Sequence, residues 1–80
     1  MVRVDSKHVH FSGVVVSFEE GEDKVLYIQG SINEENTAFY LLVPEEVYRK
    51  YAVSGIGKWI EGEGVVVSEN PPTVKCLKVE

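Results

Sequence analysis

Between Gly57 and Val67 the chain reads Gly-Lys-Trp-Ile-Glu-Gly-Glu-Gly-Val-Val-Val. Side chains on a strand alternate between its faces. Ile60, Gly62, Gly64 and Val66 therefore share one face, and Trp59, Glu61, Glu63, Val65 and Val67 share the other. Two glycines at i and i+2 on the apolar face weaken a flat strand. They suit a strand that bends sharply, or one that another backbone closely overlies. The stretch predicts a small, strongly curved barrel.

The rest of the chain reads in order as follows. Residues 1–7 are a mixed lead-in, expected to fray. From His8 to Phe18 runs a long β-type segment whose apolar phase changes: Val9 and Phe11 have one parity, Val14, Val16 and Phe18 the other. One inserted residue flips every following side chain. The spacing predicts a bulge or coil at Ser12-Gly13, in one long strand serving two sheets. Glu19-Glu20-Gly21-Glu22-Asp23 is a polar turn. Lys24 to Ile32 alternates cleanly, with Leu26, Ile28, Gly30 and Ile32 inward and Val25, Tyr27 and Gln29 outward. Asn33-Glu34-Glu35-Asn36 reads as a hairpin loop. A third strand follows from Thr37 to Val43, with Phe39, Leu41 and Val43 inward.

Pro44-Glu45-Glu46 opens a helix, since Pro is tolerated in the first turn and carboxylates suit the positive end of the dipole. Val47, Tyr48 and Tyr51 form its buried stripe, and Ser54-Gly55 ends it. After the glycine-rich strand, Ser68-Glu69-Asn70-Pro71-Pro72 is a turn. Thr73 to Val79 is the last strand, with Val74, Leu77 and Val79 as apolar markers of uneven phase.

The order β-β-β-α-β-β in 80 residues predicts one mainly β domain, a five-stranded Greek-key OB-fold barrel with a helix between strands three and four. The chain resembles OB domains of the single-strand nucleic-acid-binding and tRNA-anticodon-binding kind. The resemblance rests on Phe11-Ser12-Gly13-Val14-Val15-Val16, on Val43-Pro44-Glu45-Glu46 leading to Lys50-Tyr51-Ala52-Val53, and on Gly57 through Val66. It spans about Val9 to Val79, and Gly62 departs from it where an apolar residue is more usual.

Composition narrows the function classes. The net charge is −5, from 13 acidic and 8 basic residues. Non-specific nucleic-acid binding is dominated by phosphate contacts and usually needs a basic protein, so charge alone does not hold a nucleic acid here. The uncharged runs are too short for a transmembrane helix, and Met1-Val2-Arg3-Val4-Asp5 lacks the apolar core of a signal peptide. The single Cys76 cannot form an internal disulfide, so a reducing, cytoplasmic location is the default expectation.

The resemblance implies a ligand on the outer face of strands two and three, with the loops joining strands one to two and four to five. Bases would stack on aromatic rings while Lys and Arg follow phosphates. The candidate nucleic-acid-binding residues are Lys24, Tyr27, Gln29, Tyr40, Lys58 and Lys75, with Lys78 also on strand five. Either tyrosine taken singly is accounted for by cross-strand packing. Glu19, Glu20, Glu22 and Asp23 in the first loop, and Glu34 and Glu35 in the second, oppose phosphate binding.

The alternative is a protein-interaction module, a complex subunit or a homodimer, pairing through a sheet edge or around Trp59 and Val65. A large exposed aromatic such as Trp59 suits an interface. His8-x-His10 places two imidazoles on one strand face, with Asp5 as a conceivable third ligand, but two ligands read as surface histidines. No catalytic motif is present, and Cys76 reads as a small buried hydrophobe. The expectation is a binding module, neither enzyme nor membrane protein, without a cofactor or metal, whose partner is single-stranded nucleic acid or another protein chain.

Overall fold

The computed structural model describes residues 8–52 and 55–80. The expected lead-in over 1–7, Asp5 as a metal ligand, and Val53 and Ser54 at the helix exit lie outside the described residues. The elements are β1 (His8–Glu20), β2 (Lys24–Ile32), β3 (Glu35–Leu42), α1 (Glu45–Tyr51), β4 (Trp59–Glu69) and β5 (Pro72–Val79). The strands close in the order β1-β2-β3-β5-β4, with β4 returning to pair with β1. All pairings are antiparallel except β3 with β5. This closed barrel with one short helix after β3 is consistent with an OB-fold.

Closure follows from β1. Its first half pairs with β4, from His8↔Val65 to Val14↔Trp59. Its second half pairs with β2, from Phe11↔Ile32 to Glu20↔Lys24. The one strand thus belongs to two walls, as its length and broken apolar phase suggested. The break, however, is not at Ser12-Gly13. Val9, Phe11, Gly13 and Val15 are all buried in one uninterrupted phase. The register with β2 slips between Val15 and Ser17, leaving Val16 as the extra residue. Beyond it Phe18 turns toward the helix, its ring edge-on to Tyr48 at 6.0 Å.

Gly13 answers a different demand. A Cβ there would stand 2.6 Å from the Gln29 carbonyl oxygen and 2.7 Å from Ile28 Cγ2. A close overlap of β1 and β2 therefore places the glycine, not a bulge.

The two glycines of β4 are also explained by close backbone approach, and the overlying backbone is that of β5. A Cβ on Gly62 would run into the Lys78 carbonyl, and one on Gly64 into the Lys75 carbonyl and Val74 Cγ1. Both contacts belong to β5, which coils across β4. The β4–β5 register shifts between Glu63 and Gly64, with Leu77 as the extra residue on β5. That slip explains the uneven phase of the last strand: Val74 is fully buried, while Leu77 is 56% exposed.

The second hairpin is tighter than expected. Ile32 pairs with Glu35, so only Asn33 and Glu34 form the turn. Both have positive φ, 50° and 71°, as a type I′ turn requires.

Phe11, Val15, Leu26, Ile28, Phe39, Leu41, Ile60 and Val74 fill the barrel, each less than 2% exposed. Phe11 and Phe39 meet edge to face at 6.0 Å, a favoured aromatic geometry. Helix α1 covers one end, burying Tyr48 and Tyr51, with Ala52 at its C-cap. Gly55 and Gly57 return the chain to β4. The Lys58 amide donates to the Gly55 carbonyl at 2.9 Å, and Gly57 has φ 90°. That is the third position of a type II turn, where glycine is preferred. None of the described residues forms a helix long and apolar enough to cross a membrane.

Candidate functional site

The barrel pleat decides which polar and aromatic side chains face solvent together. On β2 and β3, Tyr27 and Tyr40 are direct partners. Their ring centroids are 5.1 Å apart and their planes tilted by 44°. Tyr40 is 37% exposed, and Tyr27 is half-buried beside it. A shallow cavity of about 300 Å³ opens next to them, lined by Ser17, Phe18, Glu19, Val25, Tyr27 and Tyr40. Apolar and aromatic walls favour a flat unsaturated ring there, while the Glu19 carboxylate disfavours a phosphate.

The register extends this face to both sides. Gln29 is exposed one inter-pleat step from Tyr27, between Val14 on β1 and Ala38 on β3. Val14 in turn pairs with Trp59 on β4. Trp59 is 59% exposed, facing away from Ile60, which is 1% exposed. On the other side Tyr40 pairs with Thr73 on β5, two residues before the exposed Lys75. Trp59, Gln29, Tyr27, Tyr40 and Lys75 thus lie in neighbouring rows of one outward surface. Trp59 belongs to this surface through a cross-barrel register that the sequence does not display.

Lys24 and Lys58 stand apart from it. Lys24 has the inward parity of Leu26 and Ile28 and lies at the helix end of the barrel. Its Nζ is 3.2 Å from Glu20 Oε2 and 5.9 Å from the Tyr48 ring centroid. Lys58 precedes β4, where its carbonyl accepts from the Val15 amide at 3.0 Å, placing it across β1 from Tyr27. The face is therefore aromatic with sparse positive charge. Val65 shares the outward parity of Trp59 but lies six residues along β4, next to His8 and Lys75. At roughly 3.3 Å per residue the two are about 20 Å apart, with Glu61 and Glu63 between them, so they do not form one apolar patch.

His8 and His10 both point outward, each toward β4 carboxylates. His8 Nε2 lies 3.4 Å from Glu63 Oε1. His10 Nε2 lies 3.2 Å from Glu61 Oε2 and 3.8 Å from Glu80 Oε2. Spacing along β1 shows the two imidazoles; the carboxylates come from strands distant in sequence.

Cys76 is half-buried on β5, against the core. Burial pushes its thiol above the usual value, partly offset by a backbone hydrogen bond with Lys78. A thiol held protonated is a poor nucleophile. A further cavity among the described residues, about 440 Å³, lies at the opposite end of the barrel from α1, with Ile32, Val66 and Val74 among its apolar lining. None of the proposed binding side chains lines it. Comparison with protein-family models, with curated proteins and with solved structures yields no match.

Proposed function

We propose that this barrel binds single-stranded nucleic acid, DNA or RNA, on the outer face of β2 and β3, with no catalytic step. The observation carrying this reading is the Tyr27–Tyr40 pair, two adjoining rings on one solvent-facing surface. Base–aromatic stacking is worth about 1–3 kcal/mol per base, so two platforms supply useful affinity without a basic surface. Gln29 offers an amide to base edges, and Lys75 a cation to the backbone. Lys24 is engaged with Glu20, and with Lys58 it flanks the surface as a peripheral phosphate contact.

Fluorescence anisotropy with labelled single-stranded DNA and RNA tests the reading. Saturable binding that persists at moderate salt is expected. No binding even at low salt, with a basic OB-type domain as positive control, overturns it.

A second reading, a protein-interaction module, is favoured by the exposure of Trp59 at 59% and Val16 at 38% and by the net charge of −5. Sedimentation of the isolated chain tests its homodimer form. A concentration-dependent dimer weakened by Trp59→Ala, with no oligonucleotide binding, selects it.

A further inference from the structure

The histidines of β1 are not among the side chains proposed to bind nucleic acid, and His10 stands beside two carboxylates. We propose that His10, Glu61 and Glu80 form a binding site for a divalent transition-metal ion of the zinc, nickel and copper class. One donor atom from each lies within 4.8 Å of the others. Metal bonds of about 2.0–2.2 Å set tetrahedral donors about 3.4 Å apart and adjacent octahedral donors about 3.0 Å apart. The distances from His10 Nε2, 3.2 Å to Glu61 and 3.8 Å to Glu80, lie to either side of the tetrahedral spacing. Small rotations of exposed side chains complete the set, and solvent supplies the remaining ligands.

Three features pre-organise the site. The Glu80 amide donates to the Glu61 carbonyl at 2.8 Å, fixing the end of β5 against β4. Asn33 clamps His10 through two bonds: its amide donates to the His10 carbonyl at 2.7 Å, and its Oδ1 accepts from the His10 amide at 2.9 Å. The Trp59 indole N–H donates to Glu61 Oε1 at 3.4 Å, leaving Oε2 directed at His10. Hydrogen-bonded outer partners of this kind orient ligating carboxylates. Two of the ligands thus stand on barrel strands, His10 on β1 and Glu61 on β4, and Glu80 directly follows β5.

The donor chemistry selects the ion. Two carboxylates carry two negative charges toward one point, which a divalent cation matches. Imidazole suits zinc, copper and nickel, whereas calcium and magnesium prefer oxygen ligands alone. His8, paired with Glu63, lies outside the set.

Trp59 is the sole tryptophan, and its contact with Glu61 makes it a reporter. The test uses the untagged chain, titrated with Zn2+ by calorimetry and with Cu2+ or Ni2+ by tryptophan quenching. One ion per chain is expected, with saturable quenching reversed by Zn2+ and not by Ca2+. His10→Ala and Glu61→Gln should each weaken Zn2+ binding at least about tenfold, the lower range for losing a supporting or ligating group. His8→Ala should stay within about twofold on the same scale. Should His10→Ala lose the native circular dichroism spectrum, Glu80→Gln at the exposed strand end replaces it, with the same expected loss. Absence of saturable binding up to millimolar Zn2+ overturns the proposal. So does undiminished binding by the ligand variants, or an equal loss in His8→Ala.

Discussion

Gly13 and Gly30 are direct partners across β1 and β2, and neither has space for a side chain. A Cβ on Gly30 would collide with the Ser12 carbonyl oxygen and the Gly13 Cα. These are backbone atoms and cannot rotate away. The two strands cross here at close range because β1 is leaving one wall of the barrel for the other.

Gly30→Ala should therefore destabilise the protein by about 1–3 kcal/mol, the usual range for overpacking a tight site. For a domain of this size each kcal/mol lowers the melting temperature by about 4–8 °C. Gly21→Ala is the matched control. Nothing lies within 4 Å of its added carbon, and a change within about 0.5 kcal/mol is expected. Thermal or urea denaturation followed by circular dichroism reads both; equal effects would refute the crossing argument.

The β2–β3 turn contains a correctable strain. Glu34 has φ 71°, a left-handed conformation costing an ordinary residue about 1–2 kcal/mol. Glu34→Gly creates the Asn-Gly pair favoured in such turns. Part of the relief is offset by the larger entropy of glycine in the unfolded chain. A net gain of about 0.5–1 kcal/mol is expected, seen as a higher urea midpoint. A lower midpoint would show that Glu34 makes a compensating interaction.

Stacking on the outer face predicts a specific mutational pattern. Tyr27→Ala and Tyr40→Ala should each weaken oligonucleotide binding by at least about 1 kcal/mol, roughly fivefold. Because the rings touch, the double mutant should lose less than the sum. Positive charge near the pair is sparse, so the salt dependence should be shallow. With one or two phosphates neutralised, log K should fall against log salt with a slope of about −0.7 to −1.4. A much steeper slope would mean that lysines elsewhere carry the binding.

Cys76 gives the protein an alkaline signature. Its folded thiol has a raised pKa through burial, while the unfolded value is about 8.5. A raised folded pKa means that the folded state holds its proton longer. The associated stability is complete below the unfolded value and declines as pH rises through the folded one. Labelling by iodoacetamide at pH 8 should be slow in the native protein and fast in urea. Equal rates would show an accessible, reactive thiol.

Much of the barrel was legible because burial writes a period of two into each strand. Leu26, Ile28 and Phe39, Leu41 declare their inward faces directly, and Trp59 against Ile60 declares the outward one. Pro44 and the two glutamates after it mark the helix start. The site was legible only in pieces. Tyr27 and Tyr40 could be placed on neighbouring strands, but the parity that turns Lys24 toward Glu20 and Tyr48 matters more than its nearness to Tyr27 in sequence.

The sequence by itself determined the strands, the helix, their order and the need for backbone crossings at glycine. Local alternation, capping and turn chemistry are properties of neighbouring residues. Tertiary structure decided what each glycine makes room for: Gly13 and Gly30 serve β1 against β2, and Gly62 and Gly64 serve β4 against β5. It also moved the break in β1 to Val16 and brought Glu61 and Glu80 to His10. The physical reason is the same in each case. Cross-strand register depends on how the closed barrel shares hydrogen bonds and core volume among all five strands, and no single strand contains that information.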